Sequence, residues 1–247
     1  MKAVILAAGT GTRLLPITRR LPKALIPMGE KTLLEWSFDA LHQGGITEAI
    51  IVIGHLGHLI EDVMKRSYNG INIQYVRNDA YADTGSMGSL YQARDVLNDD
   101  VLLLESDLLY DPKALKLVMQ SPFPDAILIA KMLRSGDDVY ICVNDRLEIT
   151  GLGKNLSEDD RAEACGALVG ISKLSRQFLR RVFAQAETED KQRAMRCHYE
   201  DYLFEVGKSD ALLHGVICTD LNWIEIDTAE DLRRAREEVY PMLIGRE

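Results

Sequence analysis

The chain has few cysteines, and they are not grouped. Cys142, Cys165, Cys197 and Cys218 are the four that it contains, with no C-x-x-C pair and, apart from His198, no adjacent histidine. Scattered cysteines of this kind are typical of reduced structural thiols. They exclude a zinc-finger pattern and a disulfide framework.

Long apolar runs and an excess of positive charge are also lacking. No stretch of about 18 uncharged apolar residues occurs, so a transmembrane helix is not expected. The start of the chain lacks the apolar core of a signal peptide, which favours a cytoplasmic protein with no membrane partner. A net charge of −9 argues against binding to nucleic acid, which requires a basic face. A polyanionic substrate must therefore be met by a local basic cluster or by a metal ion.

Residues 1–30 carry the strongest motif of the chain. An apolar run over residues 3–8, typical of a buried strand, breaks into Gly9-Thr-Gly11-Thr-Arg13. Glycines let backbone N–H groups approach a ligand closely, and Arg13 and Lys23 bring two positive charges to the same loop. The combination predicts a triphosphate-binding loop. A glycine-rich turn with surface charges is the alternative, since a lone Gly-x-Gly motif is a weak signal.

Strands and helices alternate through the first half of the chain. The pattern predicts strands at 3–8, 49–53, 71–77 and 101–105, and helices at 33–42, 59–66 and 86–96. This β-α-β-α-β order predicts an α/β fold with a mixed, mainly parallel sheet and helices on both faces. Ligands of such sheets bind at the carboxyl ends of the strands, where the opening loop lies.

The pattern becomes mixed from residue 126 onward. It predicts short strands at 126–131, 139–143, 147–152, 167–172, 213–217 and 223–226, and helices at 175–186, 199–206 and 229–239. We interpret this part as a small mixed lobe. Because no repeat or Pro/Gly-rich linker separates the parts, residues 1–247 are expected to form a single unit. Within it, residues 1–125 would form a nucleotide-binding half. Residues 126–247 would form a half that binds the acceptor, which is the second substrate.

Two aspartates each follow a buried strand in distant parts of the chain. Asp107 comes after the apolar residues 101–104, and Asp227 comes after residues 223–226. A carboxylate in this position loses hydration unless a cation compensates it. Two such groups can converge on Mg²⁺, which takes few carboxylates together with phosphate oxygens and water. We therefore predict a magnesium site, the alternative being that Asp107 forms a turn and Asp227 caps a helix.

Two further segments suit substrate binding. Residues 81–90 form a turn-rich stretch that leads into a helix, and their amides and hydroxyls suit the edge of a pyrimidine base. Lys154 stands among small residues after a strand, in a setting that suits contact with a second phosphate-like group. An ordinary loop and a solvated lysine are the respective alternatives.

Acidic and aromatic side chains occur together at two places in the second half. Glu200 and Asp201 stand between two tyrosines on a predicted helix and point about 100° apart, so one of them is expected to face a site. A weaker candidate of the same kind is formed by Asp137, Asp138 and Tyr140. Such groups suit a small substrate that carries an ammonium group, and a solvated helix face is the alternative.

Taken together, these motifs resemble the sugar-phosphate nucleotidyltransferase superfamily over nearly the full length of the chain. The matching stretches are 6–27, Tyr81 with 89–91, Asp107, 153–154 and 223–231. The resemblance is closest to the cytidylyltransferase branch, which includes the bacterial choline-phosphate enzymes. Residues 84–87, 105–110 and 136–140 look more like the phosphonate-specific members.

Two features depart from the pattern of the choline branch. That branch tends to have paired asparagines before Ser89-Leu90, where this chain has residues 84–88. The Asp-x-Asp metal motif is here Glu105-Ser-Asp107, so Asp107 is the clearer ligand of the two.

The resemblance implies a Rossmann-like fold of the nucleotide-diphospho-sugar transferase type and a definite activity. That activity is Mg²⁺-dependent transfer of CMP from CTP to a small amino-alkyl phosphonate or phosphate, with 2-aminoethylphosphonate favoured, and with release of pyrophosphate. Arg13 and Lys23 would hold the triphosphate, Lys154 would orient the acceptor, and Asp107 and Asp227 would hold Mg²⁺. The implied nucleotide-binding residues are Ala7, Ala8, Gly9, Gly11, Thr12, Gly85, Ser86 and Ser89.

The choice of acceptor depends on the form of its nitrogen. A primary ammonium donates three hydrogen bonds and favours carboxylates, whereas a trimethylammonium favours an aromatic cage. The candidate carboxylates are Glu105, Glu200, Asp201 and Asp138. The candidate cage residues are Tyr110, Tyr140, Tyr199 and Tyr202. The sequence favours the primary amine, with Glu105, Tyr110, Asp138, Tyr140, Glu200 and Asp201 as the acceptor-binding set.

Several alternatives remain open at this point. The acceptor alternatives are choline phosphate and ethanolamine phosphate. A hexose-1-phosphate nucleotidyltransferase shares the opening loop, and a non-catalytic nucleotide-binding relative would keep the fold. The oligomeric state is also open, with a homodimer as one option.

Overall fold

The computed structural model describes residues 1–133, 136–188, 190–209 and 212–245. Its strands are β1 Lys2–Ala7, β2 Pro27–Met28, β3 Lys31–Thr32, β4 Glu48–Ile53, β5 Ser67–Tyr68, β6 Ile71–Arg77, β7 Val101–Glu105, β8 Leu108–Tyr110, β9 Ala126–Ala130, β10 Tyr140–Val143, β11 Ile149–Gly153, β12 Gly166–Leu174, β13 His214–Cys218 and β14 Trp223–Glu225. Its α-helices are α1 Leu33–Gln43, α2 Gly57–Met64, α3 Ser86–Gln92, α4 Lys113–Gln120, α5 Glu158–Glu163, α6 Arg176–Thr188, α7 Lys191–Arg196, α8 Tyr199–Gly207, α9 Ala229–Arg234 and α10 Tyr240–Ile244.

The central element is a ten-stranded sheet with the order β11-β10-β12-β7-β1-β4-β6-β5; in addition, β9 pairs with β12, and β13 pairs with β9. Strand β1 runs parallel to both β4 and β7, and β4 runs parallel to β6. Strand β12 is antiparallel to β7 and joins the second half of the chain to the first. The prediction of an α/β fold with a mixed, mainly parallel sheet is confirmed.

Helices cover both faces of the sheet, and the sequence of β1 shows why. Ala3, Ile5 and Ala7 lie in one hydrophobic core with Phe38 of α1. Val4, Leu6 and Ala8 lie in the core on the other face, with Phe178 of α6. A strand with both faces covered reads as a continuous apolar run, which is what residues 3–8 show. Among the described residues, no helix combines the length and the apolar character that crossing a membrane requires.

Some predicted elements differ from those observed. The helix predicted over 86–96 ends at Gln92, and the helix predicted over 229–239 consists of α9 followed by a π-helical turn, Ala235–Val239. Helices α4, α5 and α7 have no counterpart in the prediction. The last two contain six residues each, too few for a periodic pattern to stand out.

The start of α3 docks onto the end of α7. The Gly85 N–H donates to the Met195 carbonyl oxygen at 2.8 Å, and the Met87 N–H donates to that of Cys197 at 3.2 Å. A Cβ atom at Gly85 would overlap the Cys197 carbonyl oxygen and lie 2.7 Å from that of Arg196. This close backbone approach requires glycine, and it fixes the segment that leads into α3.

We expect Gly85→Ala to lower the free energy of unfolding by about 1–3 kcal/mol, because the added methyl group must push two backbone segments apart. Chemical denaturation followed by circular dichroism measures the change. Gly9→Ala is the matched control, since a Cβ atom at Gly9 meets nothing within 4 Å. Equal stabilities of the two variants would contradict the packing described here.

Candidate functional site

A cavity of about 430 Å³ opens at the carboxyl ends of the parallel strands β1 and β7. Its lining contains residues from the opening loop, from the start of α3 and from the second half of the chain. It includes these predicted site residues: Ala7, Ala8, Gly9, Gly11, Thr12, Arg13, Lys23, Gly85, Ser86, Ser89, Glu105, Asp107, Lys154, Glu200 and Asp227. Groups that the sequence separates by more than 200 residues thus meet in one place.

The opening loop is shaped by Gly11. This residue has a φ of +62°, in the left-handed region that favours glycine. Its carbonyl oxygen accepts a hydrogen bond from the Thr18 hydroxyl at 2.8 Å. A Cβ atom at Gly11 would lie 2.9 Å from the Thr18 methyl group and 3.0 Å from Cγ of Lys23. The glycine therefore allows the loop to fold back so that Lys23 reaches the cavity.

Lys23 is held between the two aspartates that the sequence singled out. Its ammonium group lies 2.9 Å from Oδ2 of Asp107 and forms a second ion pair with Oδ1 of Asp227. Burial alone would lower the pKa of Lys23, but the two carboxylates outweigh it and raise that pKa. Lys23 is therefore fully charged at neutral pH, at the bottom of the cavity.

Arg13 and Lys154 extend the same pattern of alternating charge. Nη2 of Arg13 lies 2.7 Å from Oδ2 of Asp227, and Nη1 contacts Asp137. On the other side of Asp137, Nζ of Lys154 lies 2.6 Å from Oδ1. We call this set of ion pairs the charge chain, and its order is Lys154, Asp137, Arg13, Asp227, Lys23 and Asp107.

Pairing of two short strands brings Asp107 and Asp227 together. Strands β8 and β14 are antiparallel partners, and the Ile226 N–H donates to the carbonyl oxygen of Asp107 at 2.9 Å. Asp227 does not act as the cap of α9. Instead, the side chain of Thr228 accepts from the N–H of Asp231, and the Asp231 carboxylate accepts from the N–H of Thr228. The Asp227 carboxylate is therefore available to the charge chain.

Three carboxylates at this end of the cavity form a possible metal site. Glu105, Asp107 and Glu225 each offer an oxygen atom, and these atoms lie within 4.8 Å of one another. Burial, together with repulsion from neighbouring carboxylates, raises the pKa values of Glu105 and Glu225. A dication would relieve this repulsion, and carboxylate oxygens are the ligands that Mg²⁺ prefers. The donor set fits Mg²⁺, with Asp227 close by on the other side of Lys23.

Glu225 is a residue that the sequence interpretation missed. A signal was present, because both chain segments end in the same pattern: Glu105-Ser-Asp107 and Glu225-Ile-Asp227. Residues two apart in an extended segment point to the same face, so a glutamate is expected beside each aspartate. Asn78 was missed as well. Its Nδ2 donates to the hydroxyls of Thr84 and Ser89, at 2.9 and 3.1 Å, and so holds the segment before α3.

Glu200 is a buried member of the predicted acceptor-binding set. It lines the cavity and is only 7% exposed, and its Oε2 atom is buried without a hydrogen-bond partner. Its Oε1 atom lies 3.7 Å from Nδ1 of His198. Burial raises the pKa of this carboxyl group. A buried carboxylate oxygen with no donor is unusual in a folded protein and marks a position where a ligand donor fits.

The four tyrosines proposed as an aromatic cage do not line the cavity. Tyr110 packs into the core beneath α1, and Tyr199 and Tyr202 pack into the core on the other face. Tyr140 lies with its ring 5.2 Å from the guanidinium of Arg161. The structure thus does not bring Tyr110 or Tyr140 to the place where the sequence put them. Strand alternation and helix periodicity favour burying these large rings.

Asp138 and Asp201 are also outside the cavity lining. The carboxylate of each accepts a hydrogen bond from a backbone N–H group instead. Oδ1 of Asp138 accepts a hydrogen bond from the Leu133 N–H at 2.9 Å. Oδ2 of Asp201 accepts from the His198 N–H at 3.3 Å, which closes the first turn of α8. Of the adjacent pair on α8, Glu200 is therefore the residue that faces the cavity.

Comparison with known proteins finds a nucleotidyl transferase family match and relatives that act on nucleotides, by their names. The Nucleotidyl transferase family matches residues 2–130, which is more than half of the chain. The chain is 30% identical to CMP-5'-(3-aminopropyl)phosphonate synthase of Streptomyces rubellomurinus, over 95% of this chain and 38% of that protein. It is 38% identical to choline-phosphate cytidylyltransferase of Streptococcus pneumoniae, over 44% of this chain and 46% of that protein. Each match thus spans less than half of the relative's length.

A solved structure confirms the fold. The inositol-1-phosphate CTP transferase from T. maritima superimposes with a TM-score of 0.80 at 18% sequence identity, covering 98% of this chain and 94% of that chain. This similarity extends over both halves of the sheet, whereas the family match ends at residue 130. The chain belongs to the nucleotidyl transferase family.

Proposed function

We propose that this chain is a Mg²⁺-dependent cytidylyltransferase that joins CMP from CTP to a small amino-alkyl phosphonate or phosphate and releases pyrophosphate. The favoured acceptor is 2-aminoethylphosphonate. The observation that carries the proposal is the meeting of Arg13 and Lys23 with Asp107 and Asp227 in one cavity. Transfer of a nucleotidyl group needs cations for the phosphates and carboxylates for a metal, and this cavity contains both.

The reaction is a single in-line displacement. An oxygen of the acceptor's phosphonate forms a bond to the α-phosphorus of CTP, the bond from that phosphorus to the bridging oxygen breaks, and pyrophosphate leaves. Because the attacking oxygen is already ionised near neutral pH, the chain need not supply a general base. Catalysis then rests on positioning and on neutralising charge.

Each cation of the charge chain has a separate role. Lys23 neutralises charge on the α-phosphate, Arg13 binds the departing phosphates, and Lys154 orients the acceptor. Bound Mg²⁺ would be held by Asp107 and Asp227, with Glu105 and Glu225 nearby, and would neutralise phosphate charge. Backbone groups of the opening loop and the start of α3 would bind the nucleotide. The names of the two curated relatives support a cytidine nucleotide.

Side chains in and around the cavity favour an acceptor that carries a primary ammonium group. Glu200 offers a buried carboxylate oxygen without a donor, which suits a primary ammonium. Tyr140, Tyr199 and Tyr202 do not line the cavity, which leaves a trimethylammonium without those partners. The aminopropylphosphonate relative, which matches over most of this chain, supports the same choice. Choline phosphate is the second candidate, favoured by the relative with 38% identity.

The proposal is tested by measuring pyrophosphate release with every pairing of four nucleotides and four acceptors. The nucleotides are CTP, UTP, ATP and dTTP, and the acceptors are 2-aminoethylphosphonate, phosphocholine, phosphoethanolamine and glucose-1-phosphate. We expect the highest kcat/KM with CTP and 2-aminoethylphosphonate. Preference for glucose-1-phosphate, or no release with CTP and any amino-alkyl acceptor, would contradict the proposal.

Removing Lys23 tests the role of the charge chain in turnover. We expect Lys23→Ala to lower kcat on the order of 10²-fold or more, because a preorganised charge on the reacting phosphate is lost. Lys31→Ala is the matched control, since Lys31 lies on the same segment but is exposed and paired with Asp39. Thermal unfolding of both variants shows whether loss of turnover reflects loss of folding. A folded Lys23→Ala protein with near-normal kcat would rule out this role.

Metal binding is tested without any nucleotide. We expect Mg²⁺ to raise the Tm of the wild-type protein, since a ligand that binds only the folded state at 100 times its Kd adds about 2.7 kcal/mol of stability. Asp107→Asn removes a carboxylate from the cluster and should abolish most of the shift. Asp220→Asn, which changes an exposed carboxylate outside the cavity lining, should keep it. An equal shift in both variants would place the metal elsewhere.

A further inference from the structure

Asn78 is a fully buried polar residue that belongs neither to the charge chain nor to the possible metal site. It follows strand β6 directly and is 0% exposed. Its Nδ2 donates one hydrogen bond to the Thr84 hydroxyl at 2.9 Å and one to the Ser89 hydroxyl at 3.1 Å. Its Oδ1 is buried and has no hydrogen-bond partner in the part of the chain that the structure describes. Because a buried acceptor without a donor is rare in folded proteins, the value of this side chain lies in its two donors.

The orientation of the Asn78 amide is fixed by Thr84. The hydroxyl of Thr84 has a single hydrogen atom, and its oxygen lies 3.0 Å from the carbonyl oxygen of Ala80, which can only accept. That hydrogen is therefore committed to Ala80, and the Thr84 oxygen must accept from Asn78. The opposite orientation of the amide would set two oxygen atoms against each other with no hydrogen between them. Asn78 thus presents Nδ2, and not Oδ1, to both hydroxyls.

This arrangement leaves the Ser89 hydroxyl with a hydrogen atom to donate. Ser89 lies on α3, lines the cavity and is 7% exposed. Its oxygen accepts from Asn78, and no group in the described ranges accepts its hydrogen. Turning this hydrogen away from a bound ligand would bury it unpaired, which destabilises the complex. The Ser89 hydroxyl therefore meets a ligand as a hydrogen-bond donor.

We propose that Asn78 is the positioning residue that sets the base preference of the cavity, by making the Ser89 hydroxyl a donor to N3 of cytosine. This inference rests on the proposed function, which brings a pyrimidine nucleotide to the start of α3. N3 of cytosine is an unprotonated ring nitrogen that accepts a hydrogen bond, whereas N3 of uracil carries a hydrogen and donates one. The O2 atom is an acceptor in both bases and does not distinguish them. A donor at Ser89 therefore fits cytosine and opposes uracil.

Asn78 is not needed to hold α3 in place. The start of this helix is already fixed by the backbone hydrogen bonds that join it to residues 195–197. An apolar side chain of the same size at position 78 would fill the space without burying an unpaired oxygen. Asn78 and Ser89 thus meet on a frame that is fixed independently of them. A change at position 78 is expected to redirect the hydroxyl hydrogen of Ser89 and to leave the course of the backbone unchanged.

The test measures nucleotide binding in the absence of an acceptor. Isothermal titration calorimetry with Mg²⁺ gives the Kd of CTP and of UTP for each protein. We expect the wild-type protein to bind CTP more tightly than UTP by on the order of 10- to 100-fold, because one hydrogen bond is gained and one clash of donors is avoided. Asn78→Asp offers only acceptors, so the Ser89 hydrogen turns towards position 78 and the Ser89 oxygen faces the base. This variant should lose CTP affinity and gain UTP affinity, each by on the order of 10-fold.

Asn72→Asp is the matched control, because it makes the same change near the other end of β6, where the side chain is exposed. This variant should keep the wild-type preference. Damage to the fold would weaken the binding of both nucleotides, so a gain in UTP affinity distinguishes a redirected hydroxyl from a structural defect. If Asn78→Asp does not fold by circular dichroism, Ser89→Ala takes its place. It removes the donor and should reduce the preference for CTP to a few-fold, with no loss of UTP affinity.

The outcomes separate this inference from the proposed function. A folded Asn78→Asp protein that keeps the wild-type preference, or that binds both nucleotides more weakly by the same factor, would overturn the role of Asn78. Equal affinity of the wild-type protein for CTP and UTP would do the same. A wild-type preference for CTP that Asn78→Asp shifts towards UTP supports this role, whichever acceptor is used. Absence of pyrophosphate release with every amino-alkyl acceptor, alongside that shift, contradicts the proposed function alone.

Discussion

The site depends on a physical constraint, which is that charges withdrawn from water need opposite charges beside them. In this protein three cations and three aspartates alternate across the cavity, from Lys154 to Asp107. Each of these cations is already held in place by an aspartate, so under the proposed function little reorganisation is needed when the phosphates bind. The acidic surplus of the whole chain is compatible with this, because the positive charge is concentrated where it is needed.

The charge chain is possible because two short strands from distant parts of the sequence pair with each other. Strands β8 and β14 pair directly below the cavity and carry Glu-x-Asp patterns in their flanks, so four carboxylates arrive together. Lys23 reaches them because Gly11 turns the opening loop back over its own strand. Removing any of these backbone features would leave a carboxylate or an ammonium without its partner. The geometry of the loop and that of the possible metal site therefore depend on each other.

The sequence predicts much of the fold because its strands are strongly apolar and its first helices are periodic. It also singles out Arg13, Lys23, Asp107 and Asp227, because glycines, prolines and strand-end carboxylates are local signals. Local sequence signals do not determine which of the predicted acceptor residues reach the cavity. Whether Tyr140 or Asp138 faces the cavity depends on register in β10 and on a single bond to Leu133, which no nearby pattern encodes. The ion pair between Arg13 and Asp137 likewise joins the two halves of the chain.

The position of strand β12 limits the ways in which such a protein can evolve. It comes from the second half of the chain, yet it hydrogen-bonds to β7 in the middle of the sheet, with Ile171 opposite Leu104. The start of α3 is likewise held by the backbone of residues 195–197. The second half of the chain therefore cannot be exchanged as a module without unravelling the sheet of the first half. New binding preferences of the cavity would have to arise by point substitutions on a shared scaffold, and not by recombination of domains.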